Sequence, residues 1–325
     1  MRPQPPADTP ILPADDPAAL DRAADILSAG GCVAVPTETV YGLACDAADG
    51  EAVAGVYAAK GRPRFNPLIA HVDGRDRAEA LVELPPAAMA LADACWPGPL
   101  TLVAALRDGA AVSELARAGL DTLAVRWPAS AALTALVSRL DRPLAAPSAN
   151  ASGAVSPTTA QHVKDSLNGR INLILDGGAC RVGVESTIVS FIEPERPVLL
   201  RPGGLDRAVI EAVTGPLKQA TVSPDAPTSP GQLSSHYAPD AALRLNALTI
   251  EPGEAFLAFG PPPTGGQEAV FQLSPSKDLT EAAARLFIGL RELDAGASSI
   301  AVAPIPNTGL GEAINDRLRR AAAGR

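Results

Sequence analysis

Apolar residues along this chain fall into two rhythms, short continuous runs and stripes spaced three or four apart, and their alternation predicts an α/β protein. Leu20, Ala23, Ala24 and Leu27 form one stripe. Asp16-Pro17 opens it as a cap plus a residue preset for a first turn, and Gly30-Gly31 closes it, so a helix is expected. Cys32 to Val35 then run continuously apolar, as in a strand buried on both faces, until Pro36 stops the ladder. Further runs predict strands at Leu68–Val72, Leu100–Leu106, Thr122–Trp127, Leu144–Ala146, Ile171–Leu175, Ser186–Ile192 and Val198–Arg201. Helices are expected near Glu51–Ala59 and Pro86–Ala94 and from Thr158 onward. Later in the chain, Ala242–Leu245, Ala255–Phe259 and Ile300–Ala303 read as strands, and Leu279–Leu293 and Leu310–Ala323 as helices.

Polar residues interrupt this pattern where buried α/β strands end, the usual place for a ligand. Thr37 to Leu43 is rich in hydroxyls; it can hold a ligand, or Thr37 can cap a turn over Tyr41. Lys60, Arg62 and Arg64 crowd a Gly- and Pro-broken stretch that reads as an exposed loop, pinned by Asn66-Pro67 beside the strand carrying His71. Such cations suit an anion, since guanidinium grips two oxygens at once. Arg126 stands alone in an apolar strand, which marks a site or a salt bridge; the proline that follows favours a site. Arg201 repeats the pattern at a second strand end. Between Pro143 and Pro157 a Ser/Gly/Asn loop carrying Ser148 and Ser156 joins strand to helix; it is an anion-binding turn or a flexible linker. His162 falls in the helix that follows and is expected at the surface. Neither a Walker A loop nor G-x-G-x-x-G after a strand is present.

With 325 residues, two domains are expected. Aromatics are only 3% of the chain, so the cores must be built from Ala, Val and Leu. A net charge of −9 argues against a broadly basic nucleic-acid coat but leaves room for a local basic cleft. Cysteines 32, 45, 95 and 180 show no C-x-x-C or metal spacing and read as reduced core thiols. The Pro- and Asp-rich start lacks a signal-peptide core, and no apolar run approaches a membrane span, so a cytoplasmic protein is expected. The expected organisation is residues 1–215 as a first α/β domain with 1–16 flexible, 216–240 as a Pro-rich linker, and 241–325 as a small α/β domain.

Seven ordered segments, PTETVYGL, KGRPRFNPLIAH, WPGPLT, LAVRWP, APSANASGAVSPT, GVESTI and LLRPG, resemble the YrdC-like domain of threonylcarbamoyl-AMP synthases. SPGQLSSHYAP and GLGEAINDRLRRAA are similar to the linker and C-terminal domain of the longer members, although Gln232 and Leu233 stand where those carry Met and Lys. The resemblance implies a twisted mixed-sheet domain, a smaller Rossmann-like domain, and a nucleotidyltransferase reaction. L-threonine, bicarbonate and ATP would give L-threonylcarbamoyl-AMP and pyrophosphate, with Mg²⁺ on the phosphates. A separate transferase complex and tRNA would act downstream, and no membrane is involved. Threonine would meet Thr39, His71, Arg126, Ala146 and Ser186. The nucleotide would meet Arg62, Asn66, Thr122, Ser148, Ser156, Arg201, His236 and Tyr237, with Lys60 and Arg62 in the catalytic role. Two alternatives stay open: an RNA-binding module, which the scarcity of aromatics disfavours, and a carbamoyl-transfer domain of the hydrogenase-maturation type. The rings of His236 and Tyr237 in a Pro-rich segment further suggest that Ser229 to Pro239 lies over the cleft as a lid.

Overall fold

Asp16 accepts a hydrogen bond from the Ala18 N–H and starts the helix Pro17–Ser28, whose Leu20, Ala23 and Leu27 turn inward. Ala29 and Gly30 close it, and the chain enters the strand Val33–Val35, where successive side chains serve opposite faces. Val33 and Val35 pack beneath the helices Pro17–Ser28 and Ala131–Leu140. Ala34 faces the helices Gly50–Lys60 and Ala160–Leu167 on the other side. The computed structural model describes residues 2–63, 65–220, 236–263 and 269–323.

Twelve strands form one mixed sheet. In spatial order they are Ile11–Pro13, Leu173–Asp176, Val33–Val35, Gly42–Asp46, Leu144–Ala145, Ile69–His71, Thr122–Arg126, Leu100–Leu106, Thr187–Ser190, Val198–Arg201 and Lys218–Gln219, with Val82–Glu83 added beside Leu100–Leu106. Parallel and antiparallel neighbours mingle, so loops from several strands reach the same edge of the sheet. A second sheet of four parallel strands, Ala242–Arg244, Ser299–Val302, Ala255–Phe259 and Val270–Ser274, carries the helices Leu279–Asp294 and Leu310–Ala322. The fold is thus the expected pair of α/β units. All four cysteines are free thiols.

Several short elements depart from the sequence reading. The start of the chain is not a loose tail: Ile11–Pro13 extends the sheet in parallel with Leu173–Asp176, and Thr9 is buried. Gly42–Asp46 forms a hairpin strand with Val33–Val35 although it holds no β-branched residue. Lys218–Gln219, expected to begin the linker, instead pairs with Val198–Leu199. Val270–Ser274 and the helices Arg75–Leu81, Ala131–Leu140 and Arg207–Thr214 carry patterns too short or too mixed to stand out.

Gly203 follows the Val198–Arg201 strand and lies against the backbone that leads into Thr187–Ser190. A Cβ there would collide with the main chain of Glu185, Ser186 and Thr187. Because backbone cannot swing aside, Gly203→Ala is expected to destabilise the protein by roughly 1–3 kcal/mol. Urea unfolding checks this, and a midpoint equal to that of the unsubstituted chain would refute it.

Candidate active site

His71 and Arg126 end two adjacent parallel strands and are directly paired in register, so their side chains share one face at one sheet edge. Arg126 is buried. Its Nη2 donates to Glu38 Oε1 at 2.7 Å and its Nε donates to the Gly98 carbonyl at 3.2 Å. The choice between site and salt bridge therefore resolves to both, because Arg126 also lines a cavity with His71. His71 Nδ1 lies 3.2 Å from the Ile69 carbonyl and donates to it. Burial, with Arg126 beside it, pushes the imidazole down to about 3, so the ring is neutral near pH 7.

The hydroxyl-rich loop supplies a second wall. Thr37 Oγ1 donates to the Val40 carbonyl at 2.6 Å and lies 2.8 Å from Thr39 Oγ1. Since the one Thr37 proton goes to Val40, Thr39 must donate to Thr37, which leaves the Thr39 oxygen as an acceptor at the cavity. Opposite, Ser186 Oγ lies 2.7 Å from Thr101 Oγ1 and accepts from Arg201 Nη2 at 3.2 Å. Arg201 also reaches the Ser186 carbonyl through Nε and Nη2, at 3.1 and 2.9 Å.

Lys60 and Arg62 do not lie on an exposed loop. Lys60 is the last residue of the helix Gly50–Lys60, which Gly61 ends in the left-handed region at φ +61°. Both side chains are buried. The Lys60 ammonium donates to the carbonyls of Ser148 and Asn150, so it clamps the loop between them. Burial and then Arg62 lower its pKa well below the usual lysine range. Arg62 donates to the Asn66 and Pro67 carbonyls at 3.3 and 3.1 Å, and burial draws its guanidinium down to about 10. Phe65 remains exposed, and Arg64 lies outside the described residues.

His236 and Tyr237 close the cavity. Tyr237 holds φ +64°, rare for a residue with a Cβ, and its ring stacks on Phe287 of the second unit at 5.7 Å between centroids. His236 lies 4.1 Å from the Tyr237 ring; burial, reinforced by Arg62, lowers it to about 3. Both rings thus pack toward the second domain and also line the cleft. The remainder of the expected lid, Ser229 to Ser235, lies outside the described residues.

Ten of the expected site residues line one cavity: Thr39, Arg62, His71, Arg126, Ala146, Ser148, Ser186, Arg201, His236 and Tyr237. Four do not. Lys60 and Ser156 lie one contact behind, through Ser148 and Glu185 respectively. Asn66 is buried with its carbonyl turned to Arg62, and Thr122 starts the strand that Arg126 ends. Glu38 and Glu185 were missed, although Glu38 stands between two threonines and Glu185 just before Ser186-Thr187, in segments already singled out. His162 is half-buried, not superficial: its Nδ1 accepts from the Thr158 N–H at 3.3 Å.

Three arginines face this cavity against one lining carboxylate, Glu185, so it favours anions. A larger cavity of about 480 Å³ lies beyond Glu38, but Asp15, Glu38 and Asp176 outnumber Arg181 there, and a polyanion would be repelled. Glu38 and Glu185 are each held by an arginine, and the described residues contain no cluster of three His, Cys, Asp or Glu fit for a metal ion.

Comparison with known proteins accounts for both units. Residues 25–203 match the Sua5/YciO/YrdC family, described as telomere recombination, and residues 205–323 match the threonylcarbamoyl-AMP synthase C-terminal domain. A threonylcarbamoyl-AMP synthase of Pyrococcus abyssi is 41% identical, over 92% of this chain and 93% of its own length. One from Bacillus subtilis is 40% identical, over 97% and 95%. A crystal structure of P. abyssi Sua5 complexed with L-threonine superposes with a TM-score of 0.90 at 38% identity, covering 97% of this chain and 98% of that one. The fold and its anion chamber define a two-domain Sua5-type α/β protein. The chain belongs to the threonylcarbamoyl-AMP synthase family.

All three histidines are held below their ordinary value by burial: His71 and His236 at about 3, His162 at about 4. Between those values and about 6.5 the unfolded chain binds more protons than the folded one, so stability falls as pH drops through that window. Each deeply buried ring contributes about 1 kcal/mol per pH unit, and the half-buried His162 less. The urea midpoint should be clearly lower at pH 5 than at pH 7; a flat profile would show rings that protonate without resistance.

Proposed function

We propose that the chain condenses L-threonine, bicarbonate and ATP into L-threonylcarbamoyl-AMP and pyrophosphate, as a nucleotidyltransferase. The observation that carries this reading is the convergence of Arg62, Arg126 and Arg201 on one chamber whose other walls include Thr39, His71 and Ser186. The threonine amine adds to bicarbonate, water leaves, and a carbamate oxygen attacks the α-phosphorus as pyrophosphate departs. Every substrate and intermediate on this path carries a negatively charged group, and each needs to be held in line with the next. Arginine, which stays charged even when burial lowers its pKa, meets that need better than lysine.

In this reading Arg126, beside neutral His71, takes the amino acid's carboxylate, and the Thr39 acceptor takes its amine or hydroxyl. Ser186 and the backbone at Ala146 complete that pocket. Arg62 and Arg201 take the phosphates, Ser148 and His236-Tyr237 flank the nucleotide, and Asn66, Thr122 and Ser156 lie on its outer path. Lys60 acts indirectly by shaping the Ser148–Asn150 turn. Mg²⁺ arrives on ATP and neutralises phosphate charge, and no step is assigned to it. The product's mixed anhydride is passed to a separate transferase complex and on to tRNA, which places the enzyme in the cytoplasm. Among the described residues, no helix is long and apolar enough to cross a membrane.

The chamber's free volume is about 50 Å³, far below the several hundred Å³ of a typical ligand pocket. Entry of ATP therefore requires a wall to move, and His236-Tyr237, which belongs to no strand or helix, is the wall assigned to that motion in this reading.

Pyrophosphate release should require threonine, bicarbonate and ATP together. Arg62→Ala should cut kcat/KM about ten- to a hundredfold, the value of one charge-assisted contact at roughly 1.5–3 kcal/mol. Tyr237→Ala should raise the KM for ATP. Release from ATP with no amino acid present, or an unimpaired Arg62→Ala, would sink the assignment.

Substrate choice offers a second check. A buried acceptor that expects a hydroxyl is left unpaired by valine, so valine should be disfavoured at least about a hundredfold, and serine, which lacks only a methyl, far less. Equal turnover of valine and threonine would remove Thr39 and Ser186 from the pocket wall.

A further inference from the structure

The largest side chain with no solvent exposure in the described protein is an arginine of the second domain, Arg317, on the helix Leu310–Ala322. Its Nε donates to Glu185 Oε2 at 2.7 Å, and its Nη1 donates to Asp316 Oδ2 at 2.6 Å and to the Pro202 carbonyl at 3.0 Å. Its guanidinium carbon stands 5.1 Å from the centre of the Tyr237 ring. The other oxygen of the same carboxylate, Glu185 Oε1, accepts from Ser156 Oγ at 2.6 Å. A second arginine of that domain, Arg291, donates to the carbonyl of Val155, the residue before Ser156.

Apolar packing follows the same lines. The core around Phe256, Leu286, Phe287 and Leu290 also contains Val40, Val155 and Val184 of the first domain. Val40 follows Thr39 and Val184 precedes Glu185, both of which line the chamber, and Val155 precedes Ser156, one contact behind it in the loop that carries Ser148. Three loops of the chamber are thus seated, one valine each, in the hydrophobic core of the other domain.

We propose that Arg317 is a positioning residue for the reaction: by holding the Glu185 carboxylate away from the chamber's cations it keeps them for the anionic substrates and fixes Ser156. This rests on the functional reading above and extends it to a residue 116 positions beyond Arg201 in the chain. The physical reason is competition. Among the described residues Glu185 is the one carboxylate lining the chamber, and in a medium of low dielectric it would pair with whichever guanidinium is nearest. Arg317 occupies it from the back. The groups facing Glu185 are Arg317 and Asp316 from the helix, Arg201 from the sheet, Ser156 from the loop, and His236 and Tyr237 from the closing segment. Burial raises the Glu185 pKa, and Arg317 followed by Arg201 brings it below the usual carboxylate value.

The test uses the full chain and reads ATP affinity by calorimetry beside steady-state kinetics. Arg317→Gln should weaken ATP binding at least tenfold and raise KM for ATP more than it lowers kcat. The loss of affinity should shrink as pH falls, because a protonated Glu185 no longer competes for the guanidinium groups. Arg317→Lys should recover part of the loss. Arg207→Gln breaks a different contact between the domains, Arg207 to Glu312 at 2.6 Å, outside the chamber; it should lower the unfolding midpoint while ATP affinity stays within twofold. Unchanged ATP affinity in Arg317→Gln overturns the proposal, as does an equal loss in Arg207→Gln, which would reduce Arg317 to a docking contact. If Arg317→Gln does not purify folded, Arg317→Lys decides: a severalfold weaker ATP affinity supports the proposal, and an unchanged one overturns it. A wild-type chain that binds ATP but releases no pyrophosphate would refute the reaction alone, since the affinity comparison still judges Arg317.

Discussion

Like charges confined in a dry space repel strongly, and Arg62, Arg126 and Arg201 are confined in this way. Each of the three donates to main-chain carbonyls, Asn66 and Pro67 for Arg62, Gly98 for Arg126 and Ser186 for Arg201. A carbonyl satisfies a guanidinium N–H without cancelling its charge, so the positive potential survives burial. Two carboxylates are present: Glu38 pairs directly with Arg126, and Glu185 is held by Arg317. Much of the surrounding structure serves this arrangement: the carbonyls that meet the arginines lie in the loops just before the strands Ile69–His71, Leu100–Leu106 and Thr187–Ser190.

The histidines extend the same logic. A protonated imidazole would add to the repulsion, and burial keeps His71 and His236 neutral beside their arginines. They offer hydrogen bonds in places where another cation would not be tolerated. The Lys60 ammonium is spent on the carbonyls of Ser148 and Asn150, so its contribution is to fix a turn.

The strand ends were legible in the sequence because isolated polar residues in apolar runs are costly and therefore informative: Arg126, Arg201 and His71 declared themselves this way. Composition could not distinguish an exposed cationic loop from a buried one. In Lys60-Gly61-Arg62 the charges suggested solvent, and only tertiary packing shows carbonyls waiting for them. Glu38 and Glu185 were hidden by their ordinary neighbours, since an acid among threonines and serines looks like a turn. Arg317 could not be inferred at all, because the helix Leu310–Ala322 carries several arginines at similar spacing and nothing in that pattern says which one points at another domain. Short edge strands such as Ile11–Pro13 and Lys218–Gln219 were missed for a related reason: two or three residues hold no periodicity.

The helix Arg207–Thr214 marks a place where ancestry and folding divide the chain differently. By family, residues from 205 onward belong with the C-terminal domain. By packing, this helix lies on Pro86–Cys95, its Ile210 and the following Leu217 fill the core beneath Trp96 and Leu91, and Lys218–Gln219 completes the edge of the large sheet. A stretch inherited with one unit is thus folded into the other. A cut at that family boundary would separate the core beneath Trp96 from part of its own filling, even though each half has its own sheet.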